Sequence, residues 1–279
     1  MTNRVKKLRE ESLSAEPRIC MERALLETEA YKMHEGRVSV PELRALAFKH
    51  IMENKTLYIG NGELIVGEKA SAPQAAPSFP EICCHTLEDL QVMNERDLIF
   101  FRVSKEDLKA QEETIIPFWK DRAIRDRLLA AMTPEWRRCY KAGIFTEFME
   151  QRGPGHTVGS RNIYQKGFLE YKQDIENAIA ALDRLGDPEA LQKREQLIAM
   201  GICCDGIIAL GRRYSDYARE LAANEADDTR RAELLQIAEN CDVVPAHKPQ
   251  TYWQAIQMYW FVHIGVTTEI NPWDAYSPG

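Results

Sequence analysis

The stretch Phe145-Thr-Glu-Phe-Met-Glu-Gln-Arg-Gly-Pro-Gly-His-Thr-Val158 gathers two aromatics, two carboxylates and an Arg ahead of a Gly-Pro-Gly turn that presents His156. Glycines beside a proline let backbone approach a ligand closely, and a turn held that way fixes one imidazole in a cavity wall. Imidazole titrates near neutrality, so a His placed there can donate or accept a proton. A surface loop with a solvated imidazole has the same composition, and composition alone favours that plainer reading. The other groups with chemical potential are the vicinal pairs Cys83-Cys84 and Cys203-Cys204. Three successive residues such as Cys83, Cys84 and His85 cannot converge on one ion without unusual backbone geometry, so no metal is expected. Cys203-Cys204 falls among Ile202, Ile207 and Leu210, where a buried cysteine behaves as a small hydrophobe.

These groups need a scaffold, and bulk properties bound what it is. Seven cysteines, none at Cys-x-x-Cys spacing, give no zinc or disulfide-exchange motif and fit a reducing cytoplasm. With 36 basic against 43 acidic residues the net charge is −7, and without a clustered positive face no nucleic-acid partner is expected. The N-terminus has no apolar run of the kind a signal peptide carries. The most apolar segment, 256–266, is too short for a membrane span and carries Gln257 and His263, so it reads as a buried helix.

The pattern along the 279 residues is mainly α with a few short strands. Apolar positions at helical spacing run over 19–34 and stop near Gly36; Pro41 opens a helix to about position 53. Segments 57–59 and 64–66, joined through Gly60-Asn-Gly62, predict a short hairpin, since Asn-Gly accepts the positive φ of a tight turn. Positions 70–80 read as an ordered surface loop. Helices are predicted over 86–94, 105–121 (interrupted at Pro117) and 122–132. Thr133-Pro134 is a helix start, a cap followed by a residue that needs no amide donor. Further helices are predicted over 164–185, 187–224, 227–239 and 250–266, with Gly201 and Gly206 allowing close packing inside the longest. No linker divides the chain, so 1–279 reads as one unit.

Long motifs carry a resemblance. Besides the Gly-His-Thr-Val loop they include Lys-Lys-Leu-Arg-Glu-Glu-Ser at 6–12, Asn61-Gly-Glu-Leu-Ile-Val-Gly-Glu68, Pro80-Glu-Ile-Cys-Cys-His-Thr86 and Met132-Thr-Pro-Glu-Trp136. Val243-Val-Pro-Ala-His-Lys-Pro249, the run 254–269 and Trp273-Asp-Ala-Tyr-Ser-Pro-Gly279 extend it over essentially the whole chain. The sequence resembles the glycyl radical enzymes (pyruvate formate-lyase-like), on the branch that dehydrates hydroxyproline. Gly159-Ser-Arg-Asn162 departs from the pattern of that branch.

The resemblance implies that 1–279 is the N-terminal part of a pyruvate formate-lyase-like catalytic domain, contributing outer helices and a few strands to a ten-stranded α/β barrel. It implies removal of water from trans-4-hydroxy-L-proline to give pyrroline-5-carboxylate. His156 and Asp274 match the pair that handles the leaving hydroxyl, and Phe148 matches an aromatic against the substrate ring. No cofactor binds directly: a protein glycyl radical, installed by a radical S-adenosylmethionine activase under anaerobic conditions, works through a thiyl cysteine. Neither motif is present. Gly36-Arg-Val-Ser-Val40 lacks the radical glycine, and neither cysteine pair sits in a Gly-Cys-Val-Glu pattern. A longer enzyme and an inactive isolated chain are therefore expected, and the resemblance implies a homodimer. The alternatives are another member (a diol dehydratase, or a carbon–carbon lyase of the formate acetyltransferase kind) and a non-catalytic remnant or interaction subunit.

Overall fold

The structure, a computed structural model, describes residues 1–145 and 158–269. Helices dominate: α1 (Asn3–Ser14), α2 (Glu22–His34), α3 (Val40–Asn54), α4 (Leu87–Glu95), α5 (Lys105–Ala110), α6 (Ile116–Trp119), α7 (Ile124–Ala131), α8 (Pro134–Lys141), α9 (Asn162–Gln165), α10 (Phe168–Ala180), α11 (Ala190–Asn224), α12 (Asp228–Val243) and α13 (Tyr252–Thr268). Two three-residue strands, β1 (Arg18–Cys20) and β2 (Ala75–Pro77), pair in parallel with Arg18 opposite Ala75. Position 70–80 is thus partly strand. Among the described residues no helix is long and apolar enough to cross a membrane.

Helix starts follow local chemistry. Ser39 caps α3 by accepting from the Glu42 amide, with Pro41 in the first turn. Thr133 caps α8 likewise, ahead of Pro134. Thr86 and Asp89 form a reciprocal capping box on α4, satisfying two of the amides that a helix start leaves without partners. Helix α11 is the spine, 35 residues long and packed along α3, α10 and α12. Close approach to α3 depends on Gly206, where a Cβ would sit 3.0 Å from the Lys49 Cα; Gly201 faces open space instead. The main core joins Phe48, Ile51 and Met52 of α3 to Leu210 and Tyr214 of α11 and Phe261 and Ile264 of α13. A second core holds Met21, Ala24, Leu90, Ile115 and Trp119.

Three expectations change. The predicted hairpin is a strap without strands: Asn61-Gly62 does turn, with φ +89° at Gly62, but helices supply the hydrogen bonds. Gln257 donates to the Val66 carbonyl and accepts from its amide, both at 2.9 Å. Trp253 and Trp260 donate to the Leu64 and Gly67 carbonyls at 2.7 and 2.8 Å, and Arg230 to those of Gly60 and Glu63. The helix expected over 105–121 widens into a π turn at Gln111–Ile115, upstream of Pro117, because proline cannot donate to the preceding turn and its ring crowds it. The helix expected over 164–185 is broken at Gly167, where a Cβ would meet the Ala246 carbonyl at 2.3 Å. There the Phe168 and Leu169 amides bond the carbonyls of Pro245 and Ala246 at 2.9 and 3.0 Å.

Candidate functional site

Phe148 and His156 fall within 146–157 and Asp274 within 270–279, outside the described residues. What the structure describes are their flanks. Gly159, just after the Gly-Pro-Gly loop, and Glu269, just after α13, both line one cavity of about 950 Å³. Its wall is apolar on most sides: Ala45 of α3, Phe168 and Ile175 of α10, Met200 of α11 and Val262 of α13. Arg44, Asn162, Asp174, Gln196 and Glu269 are among its polar lining residues. A second cavity of about 1000 Å³ lies beside α1 among Glu11, Glu63, Glu68, Asp107, Arg18 and Arg102. Neither flank reaches it, so the first is the candidate site: a concave, mainly apolar space with few polar groups is the usual small-molecule receptacle.

At the polar edge stands a buried charge cluster. Arg23, in the first turn of α2, makes a bidentate ion pair with Glu81, at 2.5 and 3.1 Å. Its Nη1 also donates to the Ser78 carbonyl at 3.2 Å and its Nε to the Thr268 carbonyl at 2.7 Å. The guanidinium lies 4.1 Å from the centroid of the Phe79 ring. Arg44 of α3 pairs with Glu269. One turn beyond Arg23, Glu27 is 5 % exposed, and its Oε2 has no hydrogen-bond partner among the described residues. Burial, with Glu81 and Glu269 adding their charge against the pull of Arg23, pushes its pKa from 4.5 up to about 8. Burial also pushes Tyr31, a further turn along α2, up to about 12, with Glu27 and Glu81 contributing. For Arg23 and Arg44 burial opposes the charge, but the carboxylates of Glu81 and Glu269 outweigh it, and both pKa values rise. Two guanidiniums therefore face two carboxylates, with Glu27 protonated between them near neutrality.

Four of the seven cysteines, Cys84, Cys203, Cys204 and Cys241, are not armed for nucleophilic chemistry. Burial pushes Cys84 and Cys204 up to about 11 and Cys203 to about 12, and raises Cys241 as well. Thiols of that kind stay protonated, and it is the thiolate that reacts. Cys204 is buried within α11, as its apolar neighbours suggest. Cys83 lines a small pocket with His85, Ile19 and Phe79. No three His, Cys, Asp or Glu among the described residues converge as a metal set. Lys55 is pushed down to about 8 by burial, but its ammonium donates to the Glu68 and Lys69 carbonyls at 2.6 and 3.1 Å, and it does not line the candidate cavity.

Sequence reasoning passed over Arg23, Glu27, Arg44, Glu81 and Glu269. A signal existed for the first two. The buried positions of α2 are Arg23, Ala24, Glu27, Thr28 and Ala30, so two charged residues at i and i+4 share a face with the small residues that enter the core. A charge on such a face is costly unless paired.

Comparison with known proteins gives the family. The family described as pyruvate formate lyase-like matches residues 1–279. A trans-4-hydroxy-L-proline dehydratase from Clostridioides difficile is 61 % identical over 276 residues, covering 99 % of this chain and 35 % of the relative. The crystal structure of a hydroxyproline dehydratase from the same organism, with trans-4-hydroxy-L-proline bound, superposes with a TM-score of 0.92 at 60 % identity, over 96 % of this chain and 34 % of that one. A glycerol-bound B12-independent glycerol dehydratase from Clostridium butyricum gives 0.87 at 30 % identity, over 96 % and 34 %. The chain thus spans about a third of the length of these relatives.

Proposed function

This chain belongs to the pyruvate formate lyase-like family, and we propose that it is the N-terminal region of a glycyl radical dehydratase. The enzyme removes water from trans-4-hydroxy-L-proline to give pyrroline-5-carboxylate. The observation that carries the reading is 61 % identity sustained over 99 % of the chain with a dehydratase of that substrate; relatives with other substrates stand near 30 %.

The chain's own residues take the leaving-group half of the reaction. A carboxylate at Asp274 beside the imidazole of His156 favours the imidazolium, which protonates the C4 hydroxyl as it departs as water. Phe148 packs against the pyrrolidine ring. The shared cavity supports this arrangement, since Gly159 follows His156 by three residues and Glu269 precedes Asp274 by five. Both flanks open onto the same space. Hydrogen abstraction from C5 is supplied by a radical glycine and a thiyl cysteine carried elsewhere in the enzyme. A radical S-adenosylmethionine activase, a homodimeric assembly, an anaerobic cytoplasm and an inert isolated 279-residue chain belong to the same proposal.

The test is anaerobic turnover by the activated full-length protein. Wild type should convert trans-4-hydroxy-L-proline to pyrroline-5-carboxylate, and His156→Gln should lower kcat by 100-fold or more, the usual scale of general acid catalysis at about 10²–10⁴. Dehydration of glycerol or 1,2-propanediol in place of hydroxyproline would refute the substrate, and an undiminished His156→Gln would refute the proton donor.

A further inference from the structure

Cys83 and His85 both face one enclosed space. They line a cavity of about 170 Å³ with the apolar side chains of Ile19, Phe79, Ile82 and Leu90. The Cys83 Sγ lies 3.8 Å from His85 Nδ1, and Asp89 Oδ2 lies 3.9 Å from the same nitrogen. Cys84, between the two, packs against the second core instead and meets the Gln111 amide nitrogen at 3.9 Å. We infer that Cys83, with His85 as its base, is a covalent capture site for small, uncharged α,β-unsaturated carbonyl compounds. Neither residue has a part in the dehydration proposed above.

The surroundings favour a thiolate at Cys83. The imidazole can take the thiol proton, and a carboxylate beside it favours the imidazolium. Asp89 is itself fixed, accepting from the Thr86 amide at 2.8 Å as part of the capping box. Cys83 and His85 sit just ahead of α4, and the N-terminal end of a helix favours negative charge. Backbone contacts hold both residues in place. The Cys83 amide donates to the Phe79 carbonyl at 3.1 Å. Gln111, buried at the start of the π turn, donates to the His85 carbonyl at 2.6 Å. The capture step needs no oxidant and no leaving group. The thiol proton moves to His85 Nδ1, sulfur bonds the β-carbon, the C=C electrons shift to the α-carbon, and that carbon takes the proton from the imidazolium. At about 30 Å³ per water-sized group the cavity holds roughly five or six heavy atoms, and its apolar walls suit an uncharged molecule. Cys84 is no substitute: burial, with Asp126 of α7 adding its charge, pushes its pKa up to about 11.

Acrylamide, small and uncharged, is the probe, with mass spectrometry of the labelled peptides from the full-length protein as the readout. In the folded protein the rate at Cys83 should change less than about threefold between pH 6 and 8, because the ion pair has already formed. In urea the same thiol should speed up at least about 30-fold over that interval, as an ordinary cysteine does. At pH 7 folded Cys83 should outpace Cys84 at least about 100-fold. His85→Gln should give the folded protein the urea profile at an unchanged thermal midpoint, since the imidazole is partly exposed; should that variant not fold, wild type against urea decides. Pyrenylmaleimide is too large for the cavity and should label folded Cys83 at least about tenfold more slowly than in urea. A folded rate that climbs with pH as it does in urea would overturn the inference. So would a flat profile that survives His85→Gln, a Cys84 that reacts as fast as Cys83, or a pyrene label that enters at the urea rate.

Discussion

Glu27→Gln isolates the charge on one buried carboxyl. Glutamine is nearly isosteric but does not titrate, so the difference between the two proteins reports only what ionisation does. In the native state the proton is held up to about pH 8, against 4.5 for an ordinary glutamate. Below pH 4.5 both folded and unfolded chains carry the proton, and the carboxyl leaves the folding balance untouched. Between 4.5 and 8 the unfolded chain releases its proton while the native state keeps it, so stability falls as pH rises. Above 8 both states are ionised and the loss is complete. At about 1.4 kcal/mol for each tenfold change in proton affinity, that window amounts to something on the order of 5 kcal/mol. Wild type and variant should be unfolded in urea at pH 5, 7 and 9. Subtracting one protein from the other at each pH cancels the titrating groups remote from Glu27, and the glutamine protein should gain steadily on wild type toward pH 9. A difference in unfolding free energy that stays constant to about 0.5 kcal/mol across that range would refute the reasoning.

Gln257→Leu removes the partners of both the Val66 amide and the Val66 carbonyl at once and should cost about 2–5 kcal/mol in chemical denaturation, the penalty of two orphaned buried groups; a loss below about 0.5 kcal/mol would show the strap held by other means. Gly211→Ala would place a Cβ 2.5 Å from the Pro245 Cδ and 3.1 Å from the Val244 carbonyl, forcing α11 away from the segment that follows α12 at about 1–3 kcal/mol or more; an unchanged thermal midpoint would contradict it. Cys203 and Cys204, raised to about 12 and 11, should alkylate with iodoacetamide at pH 8 at least about 100-fold more slowly in the native protein than in urea. Mass spectrometry of the labelled peptides reads that ratio, and equal rates would refute the protonated state.

Helix content and the longest boundaries were legible because their causes are local. The Thr133-Pro134 start needs only a hydroxyl, a missing amide and the next turn. Segment 57–66 misled because its residue types suit a strand while its partners do not lie nearby. The bonds that hold it come from Tyr214, Arg230, Trp253, Gln257 and Trp260, and no short-range pattern announces a side chain far along the sequence. Strands β1 and β2 are three residues each, too short for any periodicity. Pro117 did signal a disturbance, but the helix relieved it a turn earlier by widening at Gln111. Motif reading pointed to Phe148, His156 and Asp274, which lie outside the described residues. The arginine and glutamate cluster beside the cavity escaped it, because Glu81 and Glu269 meet Arg23 and Arg44 only through the fold.

The strap over 60–67 also sets a timetable for biosynthesis. Val66 waits for a partner that is 191 residues away along the chain, and at 5–20 residues per second a ribosome takes roughly 10–40 s to deliver it. Until then the early peptide groups stay hydrated and the apolar face of α3 lacks α13, so the nascent chain spends that interval in the care of whatever shields exposed surface. Docking of the late helix is the event that closes the early half, and a polypeptide halted before position 257 would keep its beginning open however long it waited.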